Sequence, residues 1–263
     1  MFKLIKNNGI SYYQIESFQK TGLVDHCFTT RQGGVSVGEY ESMNLRMNCD
    51  DKRENILKNY EIICNEINVD YKKLVFSNQV HEDKIYIADK TDCGNGIVFE
   101  NKLKSADALI TAESGVPLIT FYADCVSVFL LDTEKKVIAL AHSGWKGTVK
   151  NISAKTVEKM REQFECNEII AAIGPSIGEC CFEVGDDVAE IFSELNEGVV
   201  RKYGEKYHVN LQKTIENQLI CAGIKQENII VANICTCCNS DLLFSHRKTG
   251  GKRGSLAAIM QIK

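Results

Sequence analysis

Apolar runs separated by short polar segments dominate this chain and predict more strands than helices. Ten runs rich in Val, Ile, Leu and Phe, each bounded by turn residues, are predicted strands. They cover 23–29, 74–80, 84–88, 107–111, 117–123, 126–132, 137–142, 169–174, 229–234 and 256–262. Several of these runs are apolar throughout, which indicates sheets that are covered on both faces.

Helical spacing of apolar residues is clear in two segments and weaker in two others. One helix is predicted over 56–67 and a second over 149–164, and the weaker candidates are 186–195 and 211–222. Because strands outnumber helices and follow one another in adjacent pairs, the order favours an α+β fold with mixed sheets over a regular doubly wound sheet. No linker or repeat interrupts the chain, so we expect a single domain over 1–263.

Composition and charge exclude several classes of protein. The chain is 44% hydrophobic and 25% charged, and its net charge of −4 does not favour nucleic acid as a partner. No apolar run approaches the roughly 20 residues that span a membrane, and the N-terminus lacks the apolar core of a signal peptide. We therefore expect a cytoplasmic protein without a membrane or an obligate protein partner, in which most of the twelve cysteines are reduced and buried.

Three residues far apart in sequence carry the chemistry that we consider first. His81, Cys125 and His142 each follow an apolar, strand-like run, and strand ends that open into loops are common places for functional side chains. Two imidazoles and a thiolate form a plausible three-ligand zinc set with a fourth position left for water or substrate. Taken singly, His81 and Cys125 are better explained as structural residues, and His142 fits a structural and a functional role equally well, so the prediction depends on the three together.

The segment 141–148 is the sharpest local pattern around these residues. Its glycines permit close approach by a ligand, and the helix expected to start near Thr148 offers N–H groups that could hold an anion. Trp145 could form the wall of a pocket. Asp124, which directly precedes Cys125, is a candidate for proton handling or for orienting an imidazole or a water.

Two cysteine-rich segments and two basic loops have simpler interpretations. The segments 180–181 and 235–238 match no metal-binding finger, because paired CxxC units of ordinary length are absent, and a redox pair there lacks a clean CxxC. The loops 29–36 and 245–254 are expected to be solvated. If they fold over the pocket, their arginines Arg31, Arg247 and Arg253 could grip phosphate through the guanidinium fork.

Nine short segments, taken together, resemble a known family. They are TTRQGGVS at 29–36, NQVH at 78–81, ADAL at 106–109, ADC at 123–125, HSGWKGT at 142–148, GPSIG at 174–178, CCFEVG at 180–185, CT at 235–236 and SHR at 245–247. In this order they resemble the laccase-domain family, once called multicopper polyphenol oxidases. That family is associated with purine nucleoside phosphorylase and adenosine deaminase activities, and its bacterial members are also called peptidoglycan editing factors.

The resemblance implies a fold, a metal and a class of substrate. The expected fold is a single-domain α/β sandwich of mixed sheets covered by helices, related in shape to a cysteine-hydrolase toxin fold. The resemblance assigns a catalytic zinc to His81, Cys125 and His142, with copper as an adventitious or alternative metal. The implied partners are a purine nucleoside and phosphate, and the candidate contacts are Arg31, Asn44, Trp145, Arg247 and Arg253.

The residues themselves limit which activity fits. A multicopper oxidase needs roughly ten histidine ligands, whereas this chain has five histidines and no His-x-His pair. The His-x-Glu and Pro-Cys-x-x-Cys pattern of cytidine deaminases is also absent. The leading hypothesis is a zinc-dependent enzyme that phosphorolyses purine nucleosides, including methylthioadenosine, and deaminates adenosine. The alternatives are a metal-free hydrolase or amidase with Cys125 as nucleophile and His142 as base, a hydrolase that edits peptidoglycan precursors, and a sensor that binds without turnover.

Overall fold

A computed structural model describes all 263 residues and shows fifteen strands and seven α-helices. The strands are β1 (Phe2–Asn7), β2 (Ile10–Ile15), β3 (Val24–Thr29), β4 (Val75–Phe76), β5 (Ile85–Ile87), β6 (Ala108–Thr111), β7 (Leu118–Tyr122), β8 (Val126–Asp132), β9 (Val137–Ser143), β10 (Ile169–Ile173), β11 (Glu183–Val184), β12 (Val200–Tyr203), β13 (Lys206–Val209), β14 (Ile229–Val231) and β15 (Leu256–Ile262). The helices are α1 (Glu16–Thr21), α2 (Arg53–Glu66), α3 (Trp145–Val149), α4 (Ile152–Phe164), α5 (Asp186–Leu195), α6 (Leu211–Cys221) and α7 (His246–Thr249). No helix is long and apolar enough to cross a membrane.

Two six-stranded mixed sheets form the centre of the molecule. Sheet I has the order β1-β2-β3-β15-β7-β4, and sheet II has the order β14-β10-β8-β9-β6-β5. Most neighbours are antiparallel, but β4 runs parallel to β7, β5 to β6 and β14 to β10. A small third sheet, β11-β13-β12, completes the fold.

Three apolar cores arrange these elements in four layers. One core lies between the sheets, where Phe28 and Met260 of sheet I meet Phe129 and Leu140 of sheet II. A second core packs α4, α5 and α6 on the outer face of sheet II, and a third packs α2 on the outer face of sheet I. Every residue of β8 and β9 is buried, as expected for strands covered on both faces. The predicted α+β sandwich is confirmed.

The structure corrects several boundaries that the apolar pattern suggested. The run 74–80 forms a strand only at β4, and 229–234 only at β14. The helix expected to start near Thr148 begins three residues earlier, at Trp145, and Asn151 with its φ of 62° separates α3 from α4. The amide of Thr148 donates to Gly144, so it is not free for an anion. The loop 245–254 contains the short helix α7.

The hairpin β1–β2 was missed although the sequence contains a signal for it. Asn8 and Gly9 join the two strands as a two-residue loop with φ of 47° and 81°. An Asn-Gly pair between strand-like runs is the strongest short-range indication of a hairpin, since both residues tolerate positive φ. The polar residues of β1 concealed it, because Lys3, Lys6 and Asn7 are exposed and the other three residues of the strand are only half-buried.

Candidate metal centre

His81, Cys125 and His142 converge at the point where the chain passes between the two sheets. Their metal-binding atoms all lie within 4.8 Å of one another, and the two imidazole centroids are 4.8 Å apart. His81 follows β4 of sheet I and precedes β5 of sheet II, whereas Cys125 lies between β7 of sheet I and β8 of sheet II. His142 is on β9, next to β8. The passage of the chain between the two sheets therefore brings together residues that are 17 to 61 positions apart in sequence.

Asp107 supports two members of this set at once. One of its carboxylate oxygens lies 2.9 Å from Nδ1 of His142, and its oxygens accept the backbone N–H groups of Val80, His81 and Glu82 at 2.9–3.1 Å. Burial raises the pKa of this carboxyl, but the hydrogen bonds from His142 and from the loop outweigh it and lower the pKa. Because an ionised carboxylate only accepts hydrogen bonds, Nδ1 of His142 carries the proton and Nε2 is left to bind a metal.

The thiol of Cys125 is readily ionised in this setting. Burial opposes ionisation, but the nearby His142 and His81 outweigh it and lower the pKa of Cys125 to about 6. Burial also lowers the pKa of His142, yet the Cys125 thiolate and Asp107 raise it to about 9. A thiolate beside an imidazolium is therefore the stable form of the protein without metal near neutral pH. A transition-metal ion such as zinc would replace that proton, because thiolate and neutral imidazole are its preferred ligands.

Gly144 leaves the space between the ligands open. A Cβ at this position would lie 2.9 Å from Nδ1 of His81 and 3.0 Å from Sγ of Cys125, closer than carbon atoms approach such groups without displacement. Gly144 has an ordinary negative φ of −68°, so close approach and not backbone conformation explains the glycine. Together with the three donors, this open space fits a four-coordinate zinc site that retains one free position.

The three donors lie on the wall of a cavity of about 1220 Å³. Aromatic side chains line part of this cavity, among them Phe121, Tyr122 and Trp145. Basic side chains line another part, namely Arg46, Arg53, His246, Arg247 and Arg253. The cavity is large enough for a drug-sized or nucleoside-sized ligand, and it combines apolar walls with a few charged groups, as ligand sites usually do.

Of the five predicted substrate contacts, three line the cavity and two do not. Trp145, Arg247 and Arg253 are lining residues. Arg31 instead donates to the backbone oxygens of Glu41 and Ser240 and stacks on Phe244, outside the cavity.

The structure also gives Asn44 and Asp124 supporting positions. Asn44 is fully buried, donates to Asp51 and accepts the backbone N–H of Ser255. Asp124 borders the cavity, but its two carboxylate oxygens accept from the hydroxyl of Thr236 at 2.6 Å and from the backbone N–H of Arg247 at 2.7 Å. Asp107, and not Asp124, contacts the imidazole of His142.

Sequence reasoning missed Asp107, Arg46 and Arg53. Asp107 had a detectable signal, since it is a single charge directly before the buried strand β6. A buried carboxylate at such a position needs several donors to offset its desolvation, which marks it for a structural or functional role. Arg46 and Arg53 had no comparable signal, because they lie in an ordinary polar stretch and only the tertiary structure turns them toward the cavity.

Comparison with known proteins places the chain in a family. Residues 25–263 match the family model described as multi-copper polyphenol oxidoreductase laccase. This chain is a member of that family.

Its relatives have the names of enzymes that act on purine nucleosides. It is 34% identical over 245 residues to "Purine nucleoside phosphorylase YlmD" of Bacillus subtilis, an alignment that covers 90% of this chain and 87% of the relative. It is 33% identical over 235 residues to "Adenosine deaminase RL5" from an unknown prokaryotic organism, with 86% and 90% covered. The crystal structure of the Bacillus licheniformis hypothetical protein YfiH superposes with a TM-score of 0.91 at 30% identity, covering 100% of this chain and 99% of that one.

Proposed function

We propose that this protein is a zinc-dependent purine nucleoside enzyme that catalyses phosphorolysis and also deaminates adenosine. The observation that carries this proposal is the convergence of His81, Cys125 and His142 within 4.8 Å on the wall of a nucleoside-sized cavity. The names of the relatives support the substrate class. The five histidines of the chain do not suffice for the copper centres that the family description suggests.

The residues of the chain prepare the site for its metal. His81, Cys125 and His142 would hold the zinc, which when bound lowers the pKa of a coordinated water towards about 7 and polarises a substrate oxygen. Asp107 fixes the tautomer of His142 and the backbone that carries His81. Asp124 accepts a hydrogen bond from the backbone N–H of Arg247 at the start of α7. It therefore positions part of the basic wall, which is the set of basic side chains that line the cavity.

The basic wall suits a phosphate dianion. None of the arginines Arg46, Arg53, Arg247 and Arg253 forms a salt bridge with a carboxylate. Burial and then the positive charge of Arg46 lower the pKa of Arg253, and its buried Nε has no hydrogen-bond partner. The positive charges of Arg46 and Arg253 repel one another, which favours binding of an anion, and the forked N–H groups of arginine are suited to one.

The two reactions use different parts of this cavity. In deamination, water adds at C6 of adenine and ammonia leaves. In phosphorolysis, a phosphate oxygen displaces the purine from C1′ of the ribose, so that free base and ribose 1-phosphate form. The aromatic wall around Trp145 would bind the base, and the arginines would orient the phosphate for attack.

A nucleoside panel tests the proposal. Adenosine, inosine, guanosine and methylthioadenosine are incubated with the purified protein with and without phosphate, and the products are identified by chromatography. We expect free base only when phosphate is present and inosine from adenosine in both conditions. Cys125→Ala should abolish both products, whereas Cys221→Ser, an exposed cysteine far from the cavity, should not. Turnover by Cys125→Ala at the wild-type rate, or no product from wild type, would overturn the proposal.

The thiolate–imidazolium pair of Cys125 and His142 favours one competing function, a metal-free cysteine hydrolase. Metal analysis and thiol alkylation separate the two. A bound zinc that protects Cys125 from alkylation until it is chelated supports the metal enzyme. A metal-free preparation with a reactive Cys125 that cleaves amides supports the hydrolase.

A further inference from the structure

Two cysteine pairs that are far apart in sequence meet at a second place in the molecule. Cys180 and Cys181 precede β11, and Cys235 and Cys238 follow β14. Their four sulfur atoms all lie within 4.8 Å of one another. Cys235 and Cys238 have CxxC spacing, although Cys237 lies between them.

The separations of the sulfur atoms match those around a single tetrahedral ion. Sγ of Cys238 lies 3.5 Å from Sγ of Cys180 and 3.4 Å from Sγ of Cys181. Zinc–sulfur bonds of about 2.3 Å in a tetrahedron place the sulfurs about 3.8 Å apart. No pair is bonded as a disulfide, since all twelve cysteines are free. A four-iron cluster would spread its cysteine sulfurs around a cube of eight atoms, for which this group leaves no room.

The backbone holds the two pairs in place independently of any metal. Ser176 and Cys235 form a parallel bridge, in which the amide of Ser176 donates to Ile234 and the amide of Thr236 donates to Ser176. The amide of Gly178 donates to Sγ of Cys235 at 3.2 Å. Backbone N–H groups directed at cysteine sulfur stabilise the thiolate form, in which cysteine binds metals.

Gly178 shows how closely this backbone approaches the sulfurs. A Cβ there would lie 3.1 Å from Cβ of Cys235 and 3.3 Å from Sγ of Cys180. A side chain at this position would require these cysteines to shift by a few tenths of an ångström, so the glycine suits the close packing of the two pairs.

We propose that Cys180, Cys181, Cys235 and Cys238 form a tetrathiolate site for one divalent zinc ion. Each cysteine that is a thiol before binding releases its proton to solvent, and the loaded site carries a net charge of −2. Four sulfur ligands leave no open position, so the ion is structural. This site is separate from the metal centre in the cavity and does not depend on the proposed activity.

The proposed ion would stabilise one side of the cavity. The backbone oxygen of Cys181 accepts a hydrogen bond from the guanidinium of Arg247 at 2.9 Å. Thr236, next to Cys235, donates to Asp124 at 2.6 Å. The loops that carry the cysteines are therefore in direct contact with two residues that border the cavity.

Metal content per chain is the first test. Wild type, Cys238→Ser and Cys125→Ala are purified under reducing conditions with zinc, and bound metal is measured by elemental analysis. Cys238→Ser should contain one zinc fewer than wild type, and this difference does not depend on whether the cavity site is filled. Cys221→Ser and Cys237→Ser serve as matched controls and should retain the wild-type content, since neither sulfur belongs to the group. Equal content in Cys238→Ser and wild type would overturn the proposal, as would equal losses in Cys237→Ser and Cys238→Ser.

Cobalt substitution of the wild-type chain gives a second readout that needs no variant to fold. Absorbance from sulfur-to-cobalt charge transfer increases with the number of thiolates, and four of the five proposed thiolate ligands belong to this site. We expect a strong tetrathiolate spectrum, and Cys180, Cys181, Cys235 and Cys238 should become open to alkylation only after chelation. A spectrum of a single thiolate, or a disulfide from Cys238 to Cys180 or Cys181 in the native protein, would refute the site.

Discussion

The two clusters of metal-ligand side chains have similar dimensions but opposite surroundings. In each of them all donor atoms lie within 4.8 Å of one another. The His81, Cys125 and His142 cluster has three donors and borders a cavity of about 1220 Å³. The tetrathiolate cluster has four donors, and two of its cysteines are exposed at the surface. Proximity of donors therefore does not separate a catalytic from a structural site, whereas the free position and the adjoining cavity do.

The clusters also differ in what holds them. His142 depends on the buried carboxylate of Asp107, which accepts four hydrogen bonds in all. The cysteines depend on backbone hydrogen bonds between two loops. A side-chain support can be altered by one substitution, which makes the cavity cluster the easier one to test.

Removal of one proposed metal ligand should have the largest effect on turnover, and it should distinguish the two clusters most clearly. Cys125→Ala should reduce turnover of purine nucleosides by on the order of 10³, since it removes a group that contacts the reacting centre. Cys238→Ser should reduce turnover much less, because its cluster only supports the cavity wall. Steady-state rates of both variants measure this contrast, and equal losses would mean that the two clusters do not have the separate roles assigned here.

Removal of the carboxylate behind His142 should have the next largest effect. Asp107→Asn should weaken zinc binding by about 10- to 100-fold, because partners of metal-bound histidines typically contribute that much. Competition with a chromogenic chelator measures the affinity. Asp132→Asn is the matched control, since Asp132 is equally buried and accepts backbone N–H groups far from the site. Equal weakening in both variants would indicate general destabilisation.

Loss of the guanidinium fork at Arg253 should affect one reaction only. Arg253→Lys keeps the charge but not the fork, and we expect KM for phosphate to rise about tenfold, equivalent to about 1.4 kcal/mol. Deamination of adenosine should change little, because it needs no phosphate. Arg161→Lys is the control, because the guanidinium of Arg161 donates to the backbone oxygen of Ala222, away from the cavity. An equal decrease in both activities would assign Arg253 to the shape of the site and not to phosphate.

The pH dependence of metal binding, measured per pH unit on the unaltered cavity site, should also separate the clusters. With a pKa of about 6 for Cys125 and about 9 for His142, the cavity site loses one proton, that of His142, when it binds zinc between these pH values. Its affinity should therefore rise about tenfold per pH unit in this window, flatten above about 9 and fall more steeply below about 6.

The two single-site variants allow the pH dependence of zinc affinity to be measured for each cluster by itself. Cys238→Ser isolates the cavity site and Cys125→Ala isolates the tetrathiolate site, and calorimetry in buffers of different ionisation enthalpy counts the released protons. We expect more than one proton from the tetrathiolate site. A cavity site whose affinity is independent of pH near neutrality would contradict the thiolate–imidazolium pair.

The apolar pattern identified the buried strands well and the peripheral elements poorly. The strands β8 and β15 have the predicted bounds, because continuous burial leaves a continuous apolar run. Helix α5 also has the predicted bounds, although only Ala189 and Phe192 of its residues are buried. The edge hairpin β1–β2 and the small sheet β11-β13-β12 escaped prediction. Edge strands are partly solvated, so their polar residues hide the period that marks a strand.

Residue type and strand order determined the nature of the cavity cluster, but only the tertiary structure decided which residues meet. The sequence by itself specified an imidazole–thiolate–imidazole set at three strand ends and a mixed α+β sandwich. It did not show that Asp107 supports His142. It also did not show that Arg46 and Arg53 face the cavity while Arg31 does not. Nor did it show that two cysteine pairs 54 or more residues apart in sequence lie together in the fold. The physical reason is that a periodic pattern reports which face of an element is buried, whereas long-range pairing of sheets and loops sets which side chains face one another.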